Sequence, residues 1–294
     1  MDSLEQIRHR LTIASDLSSV VRTMKTLAAI NVTQYEKLVA TLADYERVIA
    51  AGFRVLANHD QRILRQDSEE GDLALIVFGS NQGLCGNFNR HITSSALELL
   101  DRKRHVKIAA VGRRVVEQLG RADHDAFAVF SLPSSLEGIH ACLRQPLCAI
   151  DSWLTDSGIS KVTLVYHHMI DHARYEPVVM PLVPMSLEWL AHSEAEPWAT
   201  NQLPTLFQEP AALRSHLVQQ YIYVSLFRAF GETLRSENAA RMAAMQHAEK
   251  NIDEKQHQLS LEYHRQRQEA ITCELIDVVA GAEMLKSDNL PRNL

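Results

Sequence analysis

Two short stretches carry residue types that could do chemistry. Gly79-Ser80-Asn81-Gln82-Gly83-Leu84-Cys85-Gly86-Asn87 lies between an expected strand and an expected helix. That is where α/β proteins cradle phosphate on backbone N–H groups. It lacks the Gly-Lys-Ser/Thr of a nucleotide loop, and its glycines are not spaced as in a dinucleotide fingerprint. A tight strand-to-helix turn also needs glycine, which relieves backbone strain, and this is the reading the residues favour. His167-His168-Met169-Ile170-Asp171-His172 offers three imidazoles and a carboxylate, the donor types of zinc and other transition metals. It sits where a strand runs out into a turn, with no spaced cysteine or acidic partner, so a solvated strand end is favoured over a metal site. No Ser/His/Asp or Cys/His arrangement has a local signature, and no catalytic residue, cofactor or metal ligand is assigned.

These stretches belong to a central segment rich in β-branched runs, at Leu73–Phe78, Val106–Val111, Phe127–Phe130, Lys161–His167 and Val178–Val183. Helix-like segments near Asn89–Asp101, Arg113–Leu119 and Leu136–Leu154 separate them. Strands alternating with helices predict a doubly wound, mostly parallel sheet covered on both faces. Polar connections at Asn58–Asp72 and Ala191–Pro210 mark off three parts. They are an N-terminal helix over 1–58, a central α/β domain over 72–190, and a C-terminal helix over 208–286.

The two ends are built differently. The first fifty-one residues contain no proline or glycine, and Leu4, Ile7, Leu11, Ala14, Leu17, Val21, Met24, Ala28, Val32, Tyr35, Leu38, Leu42, Tyr45 and Ile49 recur every three or four positions. That is one apolar stripe of a long helix, which Gly52 is expected to loosen. Between Pro210 and Pro291 there are two glycines, Gly231 and Gly281, and no proline. The stripe there runs through Leu213, Leu217, Tyr221, Val224 and Phe227, thins to small and polar residues from Ser236 to Asn251, and keeps a seven-residue spacing at Met245, Ile252 and Leu259. At about 1.5 Å per residue such a helix outruns any central domain of this size.

From Ala270 to Leu285, eleven of sixteen residues are apolar, too many for one stripe, and Leu11–Tyr35 carries only Asp16, Arg22 and Lys25 as formal charges. Two such helices paired antiparallel would be apolar around much of their circumference and would need a partner that supplies a sleeve. The alternative is a tail folded back on the central domain. Charged positions such as Arg265, Arg267 and Glu269 are solvated by default.

A net charge of −6, from 30 basic and 36 acidic side chains, argues against a nucleic-acid partner. Cys85, Cys142, Cys148 and Cys273 form no CxxC pair and fit a reducing compartment. The opening residues show no leader pattern, and no apolar run approaches the roughly 20 residues that cross a bilayer. A coiled-coil tether and a doubly wound nucleotide-binding enzyme remain competing readings on these grounds.

Specific residues then carry a resemblance. Ser236-Glu237-Asn238-Ala239-Ala240-Arg241-Met242-Ala243-Ala244-Met245 and Leu261-Glu262-Tyr263-His264-Arg265-Gln266-Arg267-Gln268-Glu269-Ala270-Ile271-Thr272-Cys273-Glu274-Leu275 resemble the C-terminal helix of the gamma subunit of rotary F-type ATP synthases. Gly83-Leu84-Cys85-Gly86 is similar to part of that family's central turn, and Ile7-Arg8 with Met24-Lys25-Thr26-Leu27-Ala28-Ala29 resembles its N-terminal helix. The resemblance is strong at both ends and weak from about Arg90 to Leu206. It implies an antiparallel coiled coil entering a ring of alpha and beta subunits, with the globular domain on the epsilon subunit and the membrane ring of c subunits. It implies a non-catalytic rotor that couples ion flow to ATP synthesis or hydrolysis, peripheral on the cytoplasmic face of a bacterial inner membrane. By position, Arg267, Gln268, Thr272 and Met24 match contacts to the alpha/beta ring, and Glu209 and Arg241 match positions toward the membrane ring. Asn81-Gln82 stand where the family has an acid and a base, Asn87 replaces a glycine, and the N-terminal helix is poorer in lysine. These departures resemble a divergent branch such as the alternate, sometimes sodium-linked bacterial ATPases, and fewer cations would weaken attraction to an acidic beta-subunit lever.

Overall fold

The computed structural model of the 294-residue chain describes residues 4–59, 71–102, 105–171, 174–185, 206 and 208–288. Its elements in order are α1 (Leu4–His59), β1 (Asp72–Phe78), α2 (Phe88–Arg102), β2 (Val106–Val111), α3 (Arg113–Arg121), β3 (Ala128–Phe130), α4 (Ile139–Asp156), β4 (Ile159–Met169), β5 (Tyr175–Val183) and α5 (Pro210–Asp288). The expected polar connections at Asn58–Asp72 and Ala191–Pro210 lie largely outside the described residues. The chain divides into two compact units, residues 27–244, and residues 1–26 with 245–294.

In the larger unit five strands form one sheet in the order β3-β2-β1-β4-β5. β1 pairs parallel with β2 and β4, β2 parallel with β3, and β5 runs antiparallel to β4 at one edge. Successive side chains of a strand point to opposite faces, and β1 uses both. Leu73, Leu75 and Val77 pack with Ile92 and Ala96 of α2 and Val115 and Leu119 of α3. Ala74, Ile76 and Phe78 pack on the other side with α4 residues Ile139, Leu143, Ile150 and Trp153. On that second face lie also Tyr35, Ile49, Phe53 and Leu56 of α1 and Tyr221, Val224, Phe227, Phe230 and Leu234 of α5. The sheet is therefore doubly wound and mostly parallel as expected, but the terminal helices supply much of one layer. β5 reaches further back than its apolar run because an edge strand tolerates Pro177 and Pro181, whose missing N–H groups interrupt the sequence pattern.

Within this unit α1 and α5 run antiparallel. Asn31 donates to Asn238 at 3.2 Å, Arg235 to Glu36 at 2.8 Å and Arg228 Nε to Glu46 at 2.5 Å, while Tyr45 donates to Gln220 at 2.7 Å. Gly52 does not loosen α1, which continues to His59. Its missing side chain admits Leu217: a Cβ there would lie 2.8 Å from Leu217 Cδ2. A breaker in sequence is a notch in the packed pair.

In the smaller unit α1 and α5 are also antiparallel. Glu249 receives Arg22 Nε at 2.9 Å and pairs with Lys25, and Arg22 reaches Asp253 at 3.7 Å. These two cations hold the Glu249 carboxyl below its usual range, the Lys25 hydrogen bond contributing most. Met245 and Leu259 are buried as their spacing predicts. Along α1 the stripe slips by one residue, with Ser18 buried and Leu17 half-exposed.

Gly112, with φ +96, caps α3 where a Cβ would lie 2.9 Å from the Ser80 carbonyl oxygen. Both conformation and contact exclude a side chain there. Gly112→Ala is expected to lower stability by about 2 kcal/mol or more in urea unfolding of the full chain. A midpoint equal to the parent's would show that the β2–α3 turn relaxes freely.

Candidate functional site

In the order β3-β2-β1-β4-β5 the chain leaves β1 toward β2, and β4 returns on β1's other side. The crevice beyond the C-terminal ends of β1 and β4 is thus a topological switch point, where open α/β sheets take ligands. The Gly79–Asn87 turn and the end of β4 form its walls, and α5 fills it. Ser236 Oγ donates to the His167 carbonyl at 3.3 Å, and Arg241 Nη2 donates to the Gly83 carbonyl at 3.4 Å. Cys85, Phe88 and Ala240 form one buried cluster with Tyr175 against it. Burial pushes the Cys85 thiol pKa up.

The first two amides of the turn are paired within the fold. Gly79 N–H donates to the Val111 carbonyl at 2.9 Å, and Ser80 N–H to Asn89 Oδ1 at 2.9 Å. Asn89 Nδ2 returns a bond to Ser80 Oγ at 2.8 Å. A Cβ on Gly79 would lie 2.0 Å from Val115 Cγ2, so this glycine serves close packing. Asn81 accepts the Arg113 N–H at 3.3 Å and donates to the Leu132 carbonyl at 2.8 Å. An ionised acid could only accept, so the amide that departs from the family pattern makes a second tie.

The histidine stretch is a solvated strand end only in part, with Ile170 and Asp171 exposed. His167 is fully buried, with its ring centroid 4.4 Å from Phe88, 4.8 Å from Tyr175 and 5.7 Å from His91. Its Nε2–H donates to the Phe88 carbonyl at 3.0 Å, and burial pushes its pKa down to about 4. His168, half-exposed, lies 3.2 Å through Nδ1 from Glu232, a carboxylate that is 1% exposed. His172 lies outside the described residues. Alternation along β4 sends His167 and His168 to opposite faces, which run-length reasoning overlooked. Among the described residues no three His, Cys, Asp or Glu side chains are placed to hold a metal.

The six positions singled out by resemblance fall in both units. In the smaller one Arg267, Gln268 and Thr272 are exposed within two turns of α5, with Thr272 Oγ1 donating back to the Gln268 carbonyl at 2.8 Å, and Met24 is half-buried on α1. In the larger one Glu209 is exposed at the start of α5, its carbonyl accepting the Leu213 N–H at 3.1 Å. Arg241 is mostly buried, paired with Glu237 and, at 3.5 Å, with Asn238 Oδ1. Burial pushes the Glu237 pKa up despite Arg241, whose hydrogen bond and charge lower it. Sequence reading missed Glu232, Ser236 and Glu237 as buried polar groups. They lie off the apolar stripe of α5 and are buried because the helix is covered on nearly all sides from Ser225 to Ala240, which the stripe does not signal.

The smaller unit also displays large apolar side chains to solvent: Ile13, Leu17 and Val20 on α1, and Leu261, Ile271, Leu275, Ile276, Val278 and Val279 on α5. Val278 is 70% exposed and Leu275 61%.

A doubly wound sheet with its ligand crevice plugged by its own helix, and a helical pair exposing apolar side chains, define an assembly subunit built from terminal helices. The sequence profile of the ATP synthase family matches residues 3–285. The ATP synthase gamma chain of Nitratidesulfovibrio vulgaris strain Hildenborough is 26% identical over 296 residues, covering 97% of this chain and all of the relative. That of Synechococcus elongatus is 30% identical over 320 residues, covering 97% of this chain and 99% of the relative. Among solved structures, a chain of the Euglena gracilis mitochondrial ATP synthase OSCP/F1/c-ring superposes with a TM-score of 0.65 at 15% identity, over 99% of this chain and 98% of the other. One from the central stalk/c-ring of the Tetrahymena thermophila enzyme gives 0.59 at 18% identity, over 78% and 99%. The chain belongs to the ATP synthase gamma-chain family.

His167 carries a pH signature. The unfolded chain gains a proton there below about pH 6.5, whereas the folded chain refuses it until about pH 4. Stability contributed by the neutral ring is present above that window and is lost as pH falls through it. The loss is on the order of 3 kcal/mol. Glu237 and Glu46, raised by burial, act with the opposite sign. His167→Gln should flatten the parent's fall in unfolding free energy between those pH values, measured by urea titration. An unaltered slope would mean that the ring titrates freely.

Proposed function

We propose that this chain is the central rotor shaft of an F-type ATP synthase, a non-catalytic subunit. Its terminal helices enter the alpha/beta ring, and its α/β domain rests on the epsilon subunit and the c-subunit membrane ring. The observation that carries the reading is the exposed apolar surface on both helices of the smaller unit. Burying a large apolar side chain contributes about 1.5–3 kcal/mol, so nine of them strongly favour a partner that encloses the pair. Met24, Arg267, Gln268 and Thr272 meet that ring, and Glu209 faces the membrane-ring side. Rotation of an asymmetric shaft gives equivalent catalytic sites different surroundings and shifts their conformational populations, which couples ATP synthesis or hydrolysis to ion flow. No described helix is long and apolar enough to cross a membrane. The chain acts peripherally, on the cytoplasmic face of a bacterial inner membrane. The filled crevice weighs against a nucleotide-binding enzyme.

A tag on this chain, co-expressed with the neighbouring alpha- and beta-like subunits, should retrieve an ATP-hydrolysing complex several times its mass that assembles poorly without it. A lone monomer or homodimer, with the ATPase subunits left behind, would overturn the shaft. Deleting the residues after Glu269 should loosen assembly or coupling while the central domain stays folded by circular dichroism. Gln268→Ala with Thr272→Ala should lower turnover at an unchanged melting temperature, and a shift of melting temperature alone would make them packing residues.

A further inference from the structure

From Ser225 to Ala240 α5 is buried around nearly its whole circumference, and polar groups on more than one side of it meet the fold. Glu232 approaches His168 Nδ1 at 3.2 Å and the Met169 N–H at 3.5 Å. One turn on, Ser236 donates to the His167 carbonyl, and further on Arg241 donates to the Gly83 carbonyl. Glu237, 5% exposed, holds the Arg241 guanidinium in place. Three of the partners are backbone atoms, the His167 carbonyl and the Met169 N–H at the end of β4 and the Gly83 carbonyl in the turn after β1, points that do not move with side-chain rotamers. Apolar packing alone lets a helix roll or slide by small steps, because dispersion and hydrophobic contacts are non-directional. Hydrogen bonds weaken steeply with angle, and a buried charge that loses its partner is costly. Small Ala239 and Ala240, both buried, allow the close approach.

We propose that Glu232, Ser236, Glu237 and Arg241 form a key that fixes the angle of α5 about its own axis against the sheet, with Arg241 as the principal positioning residue. The key transmits turning of the α/β domain to α5. This functional consequence rests on the rotor reading, whereas the angular locking does not.

The locking is tested on the full chain by pulsed dipolar spectroscopy between spin labels at Ser94→Cys on α2 and Ala243→Cys on α5, both exposed positions, with Cys148→Ser and Cys273→Ser. The parent should give one narrow distance distribution, and Arg241→Met one at least twice as wide. Arg241→Lys keeps the charge beside Glu237 but lacks the guanidinium fork that reaches Gly83, so it should also broaden. It serves as the readout if Arg241→Met does not fold. In the assembled complex the ions moved per ATP hydrolysed should fall at least twofold, a ratio that a mere loss of assembled material would leave alone. Unchanged distance widths would overturn the key. Broadening with an unchanged ratio would overturn its role in transmission. A parent complex that moves no ions would count against the rotor reading, and the distance widths would still decide the key.

Discussion

Ala74, Ile76 and Phe78 point to a face of the sheet that α4 covers only in part, and elementary burial requires that something cover the rest. The chain answers with its own two ends. Aromatic residues at Tyr35, Phe53, Tyr221, Phe227 and Phe230 bring α1 and α5 onto that face, with Phe78 and Phe230 meeting edge to face at a centroid separation of 5.1 Å. Holding both termini against one sheet aligns them antiparallel. It also explains the notch at Gly52, which receives Leu217, and the close approach of Gly231 to Val39 and Leu38.

The same arrangement sends α5 across the end of the sheet, where the interior becomes polar. Two carboxylates, Glu232 and Glu237, are almost completely buried there. Buried charges rarely add net stability over apolar replacements, because desolvation offsets their attraction. Their value lies in direction: they accept one geometry and penalise its neighbours. A joint that must keep its angle under load has a use for groups that are costly when misaligned.

Much of this was legible in the sequence. The five β-branched runs became five strands, and the stripes through Tyr35 and Ile49 and through Tyr221 and Phe227 are the buried faces of the long helices. The surplus of apolar residues after Ala270 read directly as exposed surface. What failed did so for local reasons. Gly52 looked like a breaker because sequence does not show the side chain that fills its space. His167 and His168 looked like one cluster because residue spacing hides the alternation of a strand. The thinning from Ser236 to Asn251 gave no sign that Ser236 and Arg241 meet backbone acceptors in the crevice, because those acceptors leave no trace in residue type.

The occupied crevice also bears on what this fold admits from outside. A segment tethered within the same chain competes at an effective concentration of about millimolar or above. Any small molecule seeking the switch point must displace Ala240 and Arg241 against that advantage and leave Glu237 without its cation. The switch point that open α/β sheets offer to ligands is thus held by the chain's own helix, and a ligand there would have to outcompete a covalently tethered rival.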